Sequence, residues 1–557
     1  MNKRFHATAQ LVAHRRKTIH YELGRIDRTQ RQIQSWLDNP VLLRNIRQLT
    51  LTGKLDSIDV NLGDGDSDDG DPDDGDPDDG DPDDGIDLTP VWAHLVELVT
   101  KAARLTKVNV EVAVVGFPLP LLQALETCHP QVKLCIWNYD RQPQLDHTDV
   151  GEQALAASPI LHAIKANIWL DRCMTPIDLR IAAFKRIVAN SPNLEIASII
   201  TGLTCYMRAP QEPQHEEQEK RAAAKFLSSS RGPSTSVRKL VLDGFSLTRE
   251  TLMEWDKYVS LRQLEDLKFS RGFPERTYFE AASALLTNLK HLSLNLSSAS
   301  RHPKISPLAE AYLATTCAPL ETLSLWSWKG VVSVDAMLKH GATLKRLELH
   351  EREATSLGKR RGLLSIEEVK RIRRYCPQLE SFTLDMDRED ADWRRDIVYH
   401  EEMLLEIGRI GKKLQKVQIY LDLGVAKKAE HYWDPDGCFL EPEGDSSDTQ
   451  AEGEGVDDKD AADVAMDYVY QGPFYPPSGL QKQDHAVEAW EIIFGKSPHT
   501  GARELEIKWG EWERKAGNRY AWFQWEQENK RRVVVRPDER DDRPREVKVE
   551  IFGGDDD

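Results

Sequence analysis

The sequence predicts an α/β solenoid of repeated strand–helix units, with parallel strands on its concave face and helices on its convex face. Three observations carry that expectation. One six-residue pattern returns seven times between Val237 and Leu421: VRKLVL (237–242), LEDLKF (264–269), LKHLSL (289–294), LETLSL (320–325), LKRLEL (344–349), LESFTL (379–384) and LQKVQI (414–419). Its first, fourth and sixth residues are apolar, and the fourth-to-sixth spacing is the alternation of a half-buried strand. The copies are offset by 27, 25, 31, 24, 35 and 35 residues, room for one strand and one helix each. Between them lie stretches of helical spacing, such as LLSIEEVKRIRRYC (363–376), where Leu363, Ile366, Val369 and Ile372 share a face. A strand and helix that cannot cover their own apolar faces must stack on their neighbours.

The chain before these copies holds weaker ones. Residues 2–10 read NKRFHATAQ, and a basic stretch to about Ile26 is expected to be helical. SWLDNPVL (35–42) reads as a helix and turn, and IRQLTL (46–51) as a first repeat strand. From Thr89 to Ala209 the pattern returns in degraded form: LTKVNV (105–110) fits well, VKLCIW (132–137) and LHAIKA (161–166) loosely, and LEIASI (194–199) with a weak fourth position. IDLRIAAFKRIV (177–188) is a helix between two of these, and residues 212–236 read as a helix plus a loop. After the seventh strong copy, HAVEAWEIIFG (485–495) is helical and ARELEIKWG (502–510) supplies a final strand. The aromatic end, with Trp509, Trp512, Tyr520, Trp522, Phe523 and Trp525, is expected to cap the last apolar face. The expected divisions are an N-terminal helix and first repeat (1–60), an acidic linker (61–90), degenerate repeats (91–235), clear repeats (236–425), an acidic Gly/Pro-rich insertion (426–480) and a C-terminal repeat with its cap (481–557).

A more specific likeness rests on Cys317-Ala-Pro-Leu-Glu-Thr-Leu-Ser-Leu and Cys376-Pro-Gln-Leu-Glu-Ser-Phe-Thr-Leu, with a weaker echo in Asn193-Leu194-Glu195 after Ser191-Pro192. These make the region similar to the irregular, cysteine-containing leucine-rich repeats of F-box proteins, especially those of fungi. Residues Asn2–Gln10 resemble the closing turn of an F-box, and the helices that precede that turn in the family are not in the sequence. The resemblance implies an irregular leucine-rich-repeat solenoid serving as the substrate receptor of a cullin-type ubiquitin ligase. A Skp1-like adaptor would then be a partner if an F-box lies upstream. The family's asparagine ladder is missing, since its positions hold Phe245, Gly272, Ser297, Trp328, Arg352, Asp387 and Asp422.

The net charge of −18 is concentrated in a few stretches. Residues 61–90 hold 14 Asp and no Lys or Arg, residues 441–463 hold ten acids and one Lys, and Asp555, Asp556 and Asp557 close the chain. Set aside these stretches, of charge −14, −9 and −3, and the remainder carries +8. That is the pattern of acidic tails on a mildly basic fold, not of a nucleic-acid groove. Both acidic insertions are expected to be disordered, since they have no apolar surface to bury. Asp64, Asp66 and Asp68 match alternate ligands of an EF-hand, but Asp69 stands where its Gly belongs and Gly75 where its bidentate Glu belongs. Seven cysteines form no CxxC pair, and Cys128, Cys317 and Cys376, each close before a proline, are expected to be buried structural thiols. No apolar run approaches membrane-spanning length, so a cytoplasmic or nuclear protein is expected.

No catalytic, cofactor or metal motif survives inspection. Gly495-Lys496-Ser497 has Trp490 where a phosphate-binding loop needs glycine, and GxSxG, HExxH and GxGxxG are absent. The expectation is a non-enzymatic recognition protein, with a free-standing repeat scaffold outside ubiquitin chemistry as the alternative. A protein partner would lie on the concave face, formed by the third, fifth and seventh positions of each copy. Trp326, Arg346 and His350 are the expected centre, with Tyr420 farther along and His291 and Lys268 contributing.

Overall fold

A computed structural model describes residues 14–22, 26–54, 89–112, 114–115, 117–140, 148–168, 177–201, 221, 223–225, 227–228, 232–269, 274–297, 305–315, 319–351, 362–386, 400–421, 483–495, 503–509, 531–537 and 547–552. The chain is α/β, its strands mostly parallel, and it divides into two compact units: Met1–Phe245 with Glu250–Gly272, and Ser246–Arg249 with Phe273–Asp557. The two acidic insertions, residues 2–10 and Cys317 lie outside the described residues, as do Trp512, Tyr520, Trp522, Phe523 and Trp525.

The first unit runs β1 (Arg16–Glu22), α1 (Ile26–Leu37), α2 (Pro40–Asn45), β2 (Gln48–Lys54), α3 (Thr89–Lys101), β3 (Lys107–Val110), β4 (Val114–Val115), α4 (Leu119–Cys128), β5 (Lys133–Asp140), α5 (Val150–Ala157), β6 (Leu161–Ile168), α6 (Ile177–Asn190), β7 (Ile196–Thr201), β8 (Lys239–Asp243), α7 (Arg249–Trp255) and β9 (Asp266–Lys268). Its strands pair in parallel in the order β1-β2-β3-β5-β6-β7-β8-β9, with β4 also beside β5. The second unit runs α8 (Arg276–Leu285), β10 (His291–Asn295), α9 (Ser306–Thr315), β11 (Thr322–Trp326), α10 (Val334–Leu338), β12 (Arg346–His350), α11 (Ile366–Tyr375), β13 (Ser381–Met386), α12 (Glu401–Gly408), β14 (Lys416–Leu421), α13 (Gln483–Phe494), β15 (Glu504–Trp509), β16 (Arg531–Pro537) and β17 (Val547–Phe552). Strands β10 to β15 pair in parallel and in chain order, and β16 and β17 close the sheet antiparallel.

All seven strong copies are parallel strands, and their register follows the repeat. Within each unit the third residue of a copy faces the third residue of the next: Lys239 faces Asp266 in the first unit. In the second, His291, Thr322, Arg346, Ser381, Lys416 and Glu504 face one another in turn. Every first, fourth and sixth residue of the seven copies is buried, Leu320, Leu323 and Leu325 completely. Each such side chain contributes about 1.5–3 kcal/mol by leaving water. The recurring loss of one row, not any single contact, is what would open the stack.

Helix ends are tied across repeats by a recurring device. His129 Nε2 donates to the Val99 carbonyl at 2.9 Å, Ser191 Oγ to the Ala156 carbonyl at 3.1 Å, and His340 Nε2 to the Leu313 carbonyl at 2.8 Å. Each donor is buried. Each takes a carbonyl in the last turn of the preceding repeat's helix, where backbone acceptors outnumber helical donors. The Leu320 N–H donates to Nδ1 of His340 at 3.3 Å, which fixes the neutral tautomer protonated at Nε2. Burial accordingly lowers the His340 pKa from 6.5, against the Leu313 bond.

Three local expectations are corrected. The basic stretch before Ile26 contains strand β1, because Ile19 and Tyr21 are buried while Arg16, Thr18 and His20 are exposed, a period of two. In VKLCIW the frame moves back one residue: Lys133 faces Lys107, so Leu134 and Ile136 fill the fourth and sixth places and Trp137 lies on the other face. Cys128 is exposed and the next residue, His129, takes the buried pre-proline place, whereas Cys376 is buried at that place as expected. Burial pushes the Cys376 thiol up to about 12, which keeps it protonated and inert. No described helix is long and apolar enough to cross a membrane.

Candidate functional site

Strand alternation puts the third, fifth and seventh positions of β10 to β15 on the face opposite the apolar core. The seventh positions read Asn295, Trp326, His350, Asp385, Tyr420 and Lys508. Backbone register places Asn295 beside Trp326, Trp326 beside His350, Asp385 beside Tyr420 and Tyr420 beside Lys508. The row is expected to be exposed, and it is not. Asn295, His350, Asp385 and Tyr420 are at most 6% exposed, while Trp326 is half-buried.

These side chains bury one another laterally. His350 Nδ1 lies 2.7 Å from Asp385 Oδ1. The Tyr420 ring reaches across to His350 at a centroid distance of 4.0 Å and a tilt of 31°. On the other side, the Trp326 ring meets His350 edge-on, at 4.8 Å and 83°. Lys508 Nζ stands 5.2 Å from the Tyr420 ring centroid and 3.4 Å from its hydroxyl, a cation–π contact. The carboxylate orients the imidazole, and the imidazole is a wall for Trp326. Ring pairs of this kind add about 0.5–1.5 kcal/mol beyond their buried area.

The turn after Trp326 is fixed from the same place. Ser327 has φ +54°, in the left-handed region, and its N–H donates to the His350 carbonyl at 2.7 Å. That reversal sends Trp328 into the core, 2% exposed. Glu351 donates its N–H to Asp385 Oδ2 and accepts the N–H of Lys329 on its own carboxyl group. Burial pushes the Glu351 carboxyl up to about 7, with the Asp385 charge adding to it and the Lys329 N–H opposing. Lys329 Nζ in turn pairs with Glu368 at 2.8 Å and sits 5.0 Å over the Trp328 ring.

The expected site residues therefore separate. Trp326, His350 and Tyr420 come together, with His350 and Tyr420 as buried support instead of exposed contacts. Arg346 is exposed but lies at the third position, beside Thr322 and not beside Trp326; four residues of strand separate it from His350, roughly 13 Å. Its Nε donates to Thr322 Oγ1 at 3.1 Å, and His291 Nδ1 meets the same oxygen at 2.9 Å. Lys268 is exposed and belongs to the first unit. Asp385, Glu351 and Lys508 complete the arrangement and are not among the expected contacts, although Asp385 is a seventh-position residue of the expected concave face. Extending the row of seventh positions to ARELEIKWG finds Lys508 beside Tyr420, and reading along the row sets the acid Asp385 next to His350. Among the described residues, no group of three or more His, Cys, Asp or Glu side chains is placed to hold a metal ion. Comparison of the chain with protein-family models and with curated proteins finds no match.

Proposed function

We propose that this chain is a non-enzymatic recognition protein whose second unit captures a protein partner on the sheet face bearing Trp326. The observation that carries the reading is the half-buried Trp326 ring braced by His350, Asp385 and Tyr420. A large aromatic held in one rotamer loses little entropy on binding, and such residues dominate interface energetics. The exposed Arg346 near the opposite end of the same face adds a charged contact for the partner's rim.

The likeness of the cysteine-containing copies to fungal F-box leucine-rich repeats supports the finer reading, a substrate receptor of a cullin-type ubiquitin ligase working with a Skp1-like adaptor in the cytoplasm or nucleus. A second reading, a repeat scaffold outside ubiquitin chemistry, is favoured by β1, which makes residues 16–22 part of the sheet where the F-box likeness leads into a helix. Depleting the protein from cells separates the two. Under the receptor reading, a partner retained by the wild type and lost with Trp326→Ala accumulates and its turnover slows. Under the scaffold reading its abundance is unchanged and its location or assembly changes instead.

A further inference from the structure

The N-terminal ends of four neighbouring strands in the first unit form a continuous basic edge. The Arg15 carbonyl accepts the N–H groups of Arg47 and Gln48 at 2.9 and 3.0 Å, the Arg47 carbonyl those of Thr106 and Lys107 at 2.8 and 3.1 Å, and the Thr106 carbonyl that of Lys133 at 3.0 Å. Arg16 faces Gln48, Gln48 faces Lys107, and Lys107 faces Lys133, so these side chains stand in a row about 4.8 Å apart. The stretches 14–16, 46–48, 104–107 and 131–133 read HRR, IRQ, RLTK and QVK, with six Lys or Arg and no carboxylate. Arg15, Arg16, Arg47, Arg104 and Lys133 are exposed. Among the described residues none of the six pairs with a carboxylate. The edge ends at β6 and β7, where His162 Nε2 lies 3.3 Å from Glu195. Burial lowers the His162 pKa; Glu195 opposes this, and the charges of Lys133 and Lys107 add to it.

Cations gathered this closely repel one another within a Debye length of about 8 Å at physiological salt, and that cost falls when a counter-charge lies along them. The chain carries such a counter-charge beside these strands. The 34 residues between β2, which ends at Lys54, and α3, which starts at Thr89, include all 14 Asp of residues 61–90 and no Arg or Lys between 61 and 90. From Lys54 back to Arg47 is one strand length, roughly 23 Å, and residues 55–63 can span about 30 Å. Tethering also raises the local concentration of the tract to roughly the millimolar range. No Phe, Tyr or Trp stands among these strand starts to offer the stacking platform that a single-stranded nucleic acid would use.

We propose that this basic edge is an intramolecular docking surface for the chain's own Asp-rich stretch, residues 64–85. The contact is electrostatic and multivalent, with Lys107 and Lys133 at its centre and Arg15, Arg16, Arg47 and Arg104 at its rim. It is independent of the recognition role of the second unit. The test is zero-length carbodiimide coupling of the full-length chain, followed by peptide mapping of the monomer fraction. Lys107 and Lys133 are expected to couple to aspartates of 64–85 at low salt. Those links are lost at 1 M salt, where the Debye length is about 3 Å, while coupling within the Lys239–Asp266 pair, 2.8 Å apart, remains as the internal control. Coupling of Lys107 and Lys133 to carboxylates elsewhere, or only in cross-linked dimers, overturns the proposal. So does a chain in which the control pair couples and these two lysines do not.

Discussion

The two units meet the same stacking requirement with different side chains. In the second, the first, fourth and sixth positions are apolar in every copy, the densest row of polar groups lies on the other face, from Asn295 to Lys508, and the ion pair between its helices α11 and α12, Arg373 with Glu406 at 2.8 Å, keeps its arginine partly exposed. In the first, the apolar rows are diluted, and a buried ion pair sits between two helices: Arg186 Nη2 on α6 lies 2.7 Å from Glu152 Oε2 on α5, their side chains 2% and 1% exposed. Tyr139 also approaches Glu152. Parallel register survives in both. The backbone ladder and the inward rows therefore suffice to hold the repeat, and the remaining positions are open to different uses: a paired charge in one unit, a braced aromatic in the other.

The largest test of that contrast is Arg186→Ala. It leaves Glu152 charged and buried, and the expected loss is about 3–5 kcal/mol by chemical denaturation. Glu152→Leu combined with Arg186→Met should recover most of it, because the pair is replaceable by apolar volume. A loss within about 0.5 kcal/mol would mean that the pair is solvated and that the units do not differ in this way.

Next in size is the inter-repeat tie at His340. His340→Ala orphans the Leu313 carbonyl and the Leu320 N–H, and each buried group without a partner costs about 1–3 kcal/mol. The tie also has a pH signature. The folded state lowers the His340 pKa from its ordinary 6.5, so the unfolded chain binds the proton more tightly. Its contribution is complete above about pH 6.5 and is lost as the pH falls below it. The alanine variant should lack that part of the acid slope in a pH series of unfolding midpoints, and an unchanged slope would remove His340 as its source.

Glu351 has the opposite sign and a smaller effect. The fold raises its carboxyl pKa from 4.5 to about 7. The native state then holds the proton more tightly, and its contribution is complete below pH 4.5 and is lost as the pH rises to about 7. Glu351→Gln keeps an oxygen acceptor for the Lys329 N–H and removes the charge. It should flatten the stability profile between pH 4.5 and 7 and leave the variant the more stable protein at pH 8. A variant less stable at pH 8 would show that the carboxylate is needed there.

What the sequence makes legible follows from where the physics is local. The inward rows of the seven strong copies, and of LTKVNV, can be read directly because burial of every first, fourth and sixth residue leaves no freedom in residue type. Strand β1 is obscured because Lys17 occupies an inward place and arginines precede it, so the alternation of Ile19 and Tyr21 is short. VKLCIW is misframed because Val132 and Trp137 are apolar beside the true inward residues Leu134 and Ile136. Cys128 loses its buried place to His129 because the pre-proline residue, not the cysteine, is what the helix end selects. The support of Trp326 is harder still. Whether His350 is exposed depends on Asp385 and Tyr420, one and two strands away, and no local pattern encodes that neighbourhood. Only the alignment of seventh positions across copies shows it.

The central claim is that Trp326 is held by His350 and Asp385 for binding and not for folding. Partner capture from native lysate, quantified in parallel for the wild type, Trp326→Ala and Lys268→Ala, tests it most directly. Trp326→Ala should lower stability by about 1 kcal/mol, the worth of its ring pair, and should weaken binding of a specific partner by about 2 kcal/mol or more, the loss expected of a hot spot. Lys268→Ala, in the other unit, should retain that partner. If Trp326→Ala retains every protein the wild type retains, or unfolds while its folded fraction still binds normally, Trp326 belongs to the core and the recognition surface lies elsewhere.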